Sequence, residues 1–369
     1  MRCFHIQPHG VTELAGLPEQ ALANGFVWIA CERREFEVEL AQVQSALLAI
    51  SNRKLVDLHI SDLLNNQLPS HFDYTSDYDL LVFRRLASSP TEVDLAEPDQ
   101  PRSTRVKRRG PPVLRHIDTS PVGFAVFDRV VLTVHPAGCN VLEHIVQRLL
   151  ATSSAHTRGA GALLPASPAD LMLRVVHHMV DGYLDLRRDL TRQLDHWQSE
   201  LLKPRAKFQN WSSLLDARIS LHQLDDICED QRSAVLDWIE SLANWEPNET
   251  HGGQSGLELL RVRSRDVLEH IERVVHHVRR LEQNAETTVQ MHFSAQSNRT
   301  NDIMRTLTVL TAVFLPLNLI AGIFGMNFQF IPLVHQQEGF WWAMAAMIVI
   351  ALGLSVFFWR HRYLERTSR

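Results

Sequence analysis

Seven positions between 301 and 322 carry most of the polar groups in an otherwise apolar stretch. Asn301, Met304, Thr308, Thr311, Leu315, Asn318 and Gly322 are spaced three and four apart, so a helix would place them on one face. Val309, Leu310, Val313, Phe314, Leu317, Leu319, Ile320 and Ile323 fill the other faces. Amide and hydroxyl oxygens in such a stripe need partners or water. Two readings meet that need. The stripe lines a watery path between several copies of the helix, or its small polar residues hold neighbouring helices together. Both stand on the pattern alone, and neither is covalent chemistry. There is no phosphate loop, no dinucleotide glycine fingerprint and no recognisable nucleophile motif, so an enzyme is not expected. The 19 histidines invite a metal reading. His177-His178 and His276-His277 are adjacent pairs whose side chains diverge on a helix, and Asp181 lies close enough along the chain to join the first pair. Without cysteine partners or an HxxxH spacing, these histidines are expected at the surface or in packing.

The elements around the stripe read as membrane spans. From Thr306 to Gln337 there is no Asp, Glu, Lys or Arg, and a second uncharged run of 20 residues extends from Phe340 to Trp359. A hydrocarbon core of ~30 Å needs ~20 helical residues, and both runs suffice. The expected limits are about 306–328 and 340–360, joined by an external loop at 329–339. Arg299 and Arg305 precede the first span, and Arg360, Arg362, Arg366 and Arg369 follow the second; the loop has no Lys or Arg. By the positive-inside rule both ends are cytoplasmic, with 361–369 a basic tail. The first residues, MRCFHIQPHG, show no basic stretch followed by a long apolar run, so no signal peptide is expected.

The rest reads as soluble protein. The formal charge, 37 basic against 42 acidic residues, is −5, and no nucleic-acid partner is expected. Four distant cysteines, Cys3, Cys31, Cys139 and Cys228, form no zinc spacing or disulfide framework. Phe26–Ala30, Leu80–Phe83 and 122–134 are rich in β-branched and aromatic residues, and 35–50 has helical spacing. An α/β domain over 1–165 follows, with an exposed Pro-rich loop at 88–112 whose cluster Arg105, Lys107, Arg108 and Arg109 is expected to be solvated. Helices over 169–203 and 208–245 make a hairpin within 166–256. Val267, Ile271, Val274, Val278, Leu281 and Ala285 then recur at a 3.5-residue period, a coiled-coil seam. No Pro or Gly interrupts 257–315, so one long helix over 257–328 is expected, its seam facing identical subunits.

Gly325-Met326-Asn327 sits at the outer end of the first span, with two spans at the C-terminal end and a short loop between them. This resembles the CorA family of divalent-cation channels and transporters. Asn301–Thr308, Phe314-Leu315-Pro316, Ile320-Ala321-Gly322 and Gly325–Phe328 match the family's core segment nearly residue by residue; Ser61-Asp62 to Phe83 and Arg265-Asp266-Val267 with His270 resemble it more loosely. The resemblance implies a homopentameric funnel: a cytoplasmic α/β domain, a coiled-coil stalk and two transmembrane helices per subunit. It implies no cofactor beyond the transported and regulatory divalent cations, Mg²⁺ first, then Co²⁺, Ni²⁺ and Zn²⁺. Asn327, with Gly325 and Met326, becomes the selectivity filter, where neutral amides meet a hydrated ion without stripping it. Asn301, Met304, Leu307, Leu315 and Gly322 match pore positions. Asp266 matches an acid of the family's intersubunit regulatory metal site; an exposed surface Asp is the alternative. Two departures stand out. Asn318 replaces a usual Thr, and Ile331-Pro332-Leu333-Val334 lacks the usual loop acid, leaving Glu338 alone. A proton-coupled zinc transporter of the ZntB type and a non-conducting membrane scaffold or sensor remain as alternatives.

Overall fold

The computed structural model describes all residues except 21, 23, 89–111, 155–163, 203–210, 247–252, 327–337 and 361–369. The described chain forms two compact units, Met1–Thr287 and Thr288–Arg369. The Pro-rich stretch, Asn327 and the Ile331–Val334 loop lie outside the described residues.

The first unit begins with β1 (Arg2–Gln7), β2 (Gly10–Leu14) and β3 (Phe26–Glu32). Three short helices follow: α1 (Arg33–Val38), α2 (Leu40–Ser51) and α3 (Asp57–Leu64). Next come β4 (His71–Tyr74), β5 (Asp79–Arg84), β6 (Ala87–Ser88), α4 (Pro112–Arg115), β7 (Ile117–Asp118), β8 (Pro121–Val126) and β9 (Val130–His135). The main sheet has seven strands in the order β2-β1-β3-β9-β8-β5-β4, and β6 pairs with β7 apart from it. Among the described strands only β3 with β9 is a parallel pair; the β-rich run 122–134 folds as a hairpin of β8 and β9.

Alternation along each strand divides the core in two. Val27, Ile29, Leu80, Ala125 and Leu132 face α1–α3, burying Phe36, Val43, Leu47 and Leu63. Gly123 permits that contact, since a Cβ there would sit 2.3 Å from a Leu63 methyl carbon. On the opposite face, Trp28, Leu81, Phe83, Phe124 and Val131 pack on the later helices. Trp28 is fully buried, and its indole N–H donates to Thr133 Oγ1 at 3.1 Å. Each large apolar side chain buried in this way contributes ~1.5–3 kcal/mol.

The helical layer consists of α5 (Asn140–Ser154), α6 (Pro168–Leu202), α7 (Trp211–Ala243) and the start of α8 (Gly253–Phe324). The seam residues Val267, Ile271, Val274, Val278 and Leu281 are buried within the single chain, in one cluster with Leu186 and Leu190 of α6 and Leu221 and Leu224 of α7. The 3.5-residue period therefore serves packing between helices of one subunit, correcting the expectation that identical subunits fill it. The period specifies only that a helix meets other helices, and α6 and α7 are apolar enough to be those partners.

The second unit contains the remainder of α8 and α9 (Gly339–Arg360). Both helices are long and apolar enough to cross a membrane. Pro316 lies inside α8 and removes one backbone donor.

Candidate functional site

On α8 the predicted stripe is exposed along its length: Asn301, Met304, Leu307, Thr308, Thr311, Leu315, Asn318 and Gly322 all carry open surface in the single chain. A second stripe, Val309, Ala312, Val313, Pro316, Leu317, Ile320 and Phe324, is partly or fully covered. At ~100° per residue the two stripes lie on well-separated faces. Thr308 donates its hydroxyl to the Met304 carbonyl and Thr311 to the Leu307 carbonyl, each at 2.8 Å. The hydroxyl protons are thus satisfied inside the helix, leaving oxygen lone pairs on the exposed face for water or a neighbour. Phe324 ends the helix. Gly325 N–H donates to Ala321 O at 2.9 Å and Met326 N–H to Ile323 O at 3.3 Å, so the chain turns as it leaves the helix. A Cβ on Gly325 would stand 3.0 Å from Ala321 O, which favours glycine at this turn. Glu338 is exposed, and its carbonyl accepts the Trp342 N–H at 3.1 Å at the start of α9.

A second constellation lies in the first unit, where α6 meets α8. His177 and Asp181 are one turn apart on α6, as are Asp266 and His270 on α8. The packing interleaves them. His177 Nε2 is 3.1 Å from Asp181 and its Nδ1 is 3.5 Å from Asp266. His270 Nδ1 is 3.1 Å from Asp181 and its Nε2 is 3.9 Å from Asp266. Ligand atoms of His177, Asp181 and His270 all lie within 4.8 Å of one another, close enough to hold one metal ion. Two imidazoles with carboxylates suit Zn²⁺, Co²⁺ or Ni²⁺ better than an all-oxygen Mg²⁺ site. Asp266 is half-exposed at the rim of a cavity of about 400 Å³ that also holds Arg148, Arg174 and Arg263. Arg174 and Arg263 both pair with the buried Asp170, which ties the start of α6 to α8.

The adjacent histidines diverge as their helical positions require. His178 turns from the cluster and stacks on His144 at 4.7 Å. Burial holds its pKa below the ordinary value, with the charge of His144 adding to the effect. The sequence reading gave Asp266 a metal role by resemblance and placed His177 with surface residues. Asp181 stands within reach of His177 along the chain; what the sequence does not show is that the matching i, i+4 pair on α8, Asp266 and His270, packs against them.

These features define a class: a membrane protein with two C-terminal spans and a large α/β-plus-helical soluble part. The profile of one family, the CorA-like Mg2+ transporter protein, matches residues 104–362. The chain belongs to that family, which is one of transporters and not of enzymes. It is 34% identical over 100 residues to the cobalt/magnesium transport protein CorA of Thermotoga maritima, covering 27% of this chain and 28% of that one. It is 31% identical over 150 residues to the magnesium transport protein CorA of Yersinia pseudotuberculosis, covering 40% of this chain and 46% of that one. In each case the match spans less than half the relative's length. The complete structure of the CorA magnesium transporter of Methanocaldococcus jannaschii superposes with a TM-score of 0.67 at 16% identity, over 97% of both chains. The fold is therefore shared from the α/β domain through both apolar helices.

Proposed function

We propose that the chain assembles as a homopentamer in the cytoplasmic membrane, with both ends in the cytoplasm, and passes divalent cations through a central pore. Mg²⁺ is the leading cargo, because the relatives in the family are named for magnesium or cobalt and magnesium transport. The observation that carries this reading is the exposed stripe on α8, which leads from Asn301 through Asn318 to Gly325 and Met326. Five copies around an axis give those oxygens water instead of lipid. Asn327 then stands at the outer mouth as a ring of neutral amides. Such a ring orders hydration water around a hard cation without binding it so tightly that passage stops. Asn318 places a further amide below it, where it sets the bore of the pore. Glu338 is the acid near the mouth that draws cations in.

The His177–Asp181–Asp266–His270 cluster is the regulatory site of this account. A cation held there replaces imidazole protons and neutralises two carboxylates, locking α6 to α8 when the cytoplasmic ion is plentiful. Its nitrogen donors make zinc a second reading for the transported ion, of the proton-coupled kind. Neither span contains an Asp, Glu or His to relay protons, which favours passive flow. Uptake of Mg²⁺, Zn²⁺, Co²⁺ and Ni²⁺ into proteoliposomes, with and without a proton gradient, tests the proposal. Uptake down the cation gradient alone is expected. Zinc uptake that requires the proton gradient favours the coupled mechanism, and no uptake of any ion leaves a scaffold or sensor.

A further inference from the structure

One cavity, of about 390 Å³, belongs to neither site. It lies where the turns β4–β5 and β8–β9 meet the chain leaving α7, and its walls include Asp77, Asp79, Asp128, Trp245 and Glu246. Asp79 opens β5 opposite Val126 of β8. Strand alternation gives it the face of Leu81 and Phe83, the one that packs on helices. It is only 8% exposed, and its carboxyl has no hydrogen-bond or ion-pair partner among the described residues. Asp77 differs, since Arg53 pairs with it at 3.1 Å. A buried acid facing a cavity without a counter-charge is costly unless it is protonated or something cationic arrives. Burial first, and the nearby Asp128 second, push the Asp79 pKa up to about 7.

We infer that this cavity binds a hard divalent cation between Asp79 and Asp128. Among the described residues its lining offers oxygens and neither imidazole nor thiolate, which favours Mg²⁺, Mn²⁺ or Ca²⁺ over Zn²⁺. The cavity has room for the water molecules that such an ion retains. The bound charge ties the segment after α7, at Trp245 and Glu246, to the end of the sheet. None of its lining residues is shared with the His177 cluster. The site is read by binding alone, so it stands or falls apart from transport.

Trp245 supplies the readout, because indole excitation sensitises a lanthanide held close to it. Tb³⁺, a hard ion with the same taste for oxygen ligands, is titrated into the purified full chain in detergent. Sensitised emission that Mn²⁺ displaces is expected. Asp79→Asn and Asp128→Asn, which keep side-chain volume, should each weaken Tb³⁺ binding at least about tenfold, because each removes one anionic ligand. If Asp79→Asn does not give a folded oligomer, Asp128→Asn decides. No displaceable emission in the parent, unchanged affinity in the folded Asn variants, or emission that follows His177→Ala instead overturns the assignment.

Discussion

Asp266 is half-exposed, 3.5 Å from the His177 imidazole of α6 and 3.9 Å from the His270 imidazole of α8. If a cation normally occupies that position, a fixed positive charge should take its place. Asp266→Lys should therefore shrink the protection from protease that added divalent metal gives the cytoplasmic part. Unchanged protection would make Asp266 a surface residue. His277 shows the opposite use of an imidazole. Thr191 donates its hydroxyl to Arg187 O, so it accepts from His277 Nε2, and Tyr183 O–H donates to Nδ1 at 2.6 Å. This neutral, fully bonded ring has its pKa lowered to about 4, by burial first and then by Arg187 and Arg280. Between its ordinary value of 6.5 and about 4, the unfolded chain takes up a proton that the folded chain refuses. Stability is therefore present above 6.5 and lost as the pH falls toward 4. His277→Gln should flatten the fall of the thermal midpoint across that window; an equally steep fall would place the titration elsewhere. From the sequence His177 and His277 look alike, each one of an adjacent pair on a helix. Only the packing of α6 on α8 gives one a carboxylate cage and the other a hydroxyl cage.

At the scale of elements, the long helix was legible because nothing between 257 and 315 breaks it, and it extends from Gly253 to Phe324. Its partners were not legible. A 3.5-residue period says that a helix packs on helices, and both the chain's own helices and a neighbour's satisfy it. Val267 through Leu281 prove to be internal core. Ile271, fully buried, is thus a core residue of one subunit. Ile271→Ala should cost about 2–5 kcal/mol of stability in the cytoplasmic part. Denaturant unfolding should register that loss at every protein concentration. A loss that vanishes as concentration rises would return the seam to the subunit interface. The seven-strand order could not be read from the sequence either, because strand runs carry their faces but not their neighbours.

At the scale of the molecule, the α8 stripe is exposed in one chain, and the proposed closed ring of identical subunits would cover it. Native mass spectrometry in detergent should show a single closed oligomer of five copies. A stable monomer would remove the pore. What the sequence conveyed at this scale came from the resemblance carried by Gly325-Met326-Asn327 and the residues around it.

The most direct test of cation passage is initial flux through Asn327→Ala in proteoliposomes, at amounts of folded oligomer matched to the parent. The substitution deletes the amide from every subunit at once, so symmetry multiplies the loss. Flux at background with assembly intact is the predicted result. Parental flux through the variant would contradict the account, because the amide ring would then not be what meets the ion.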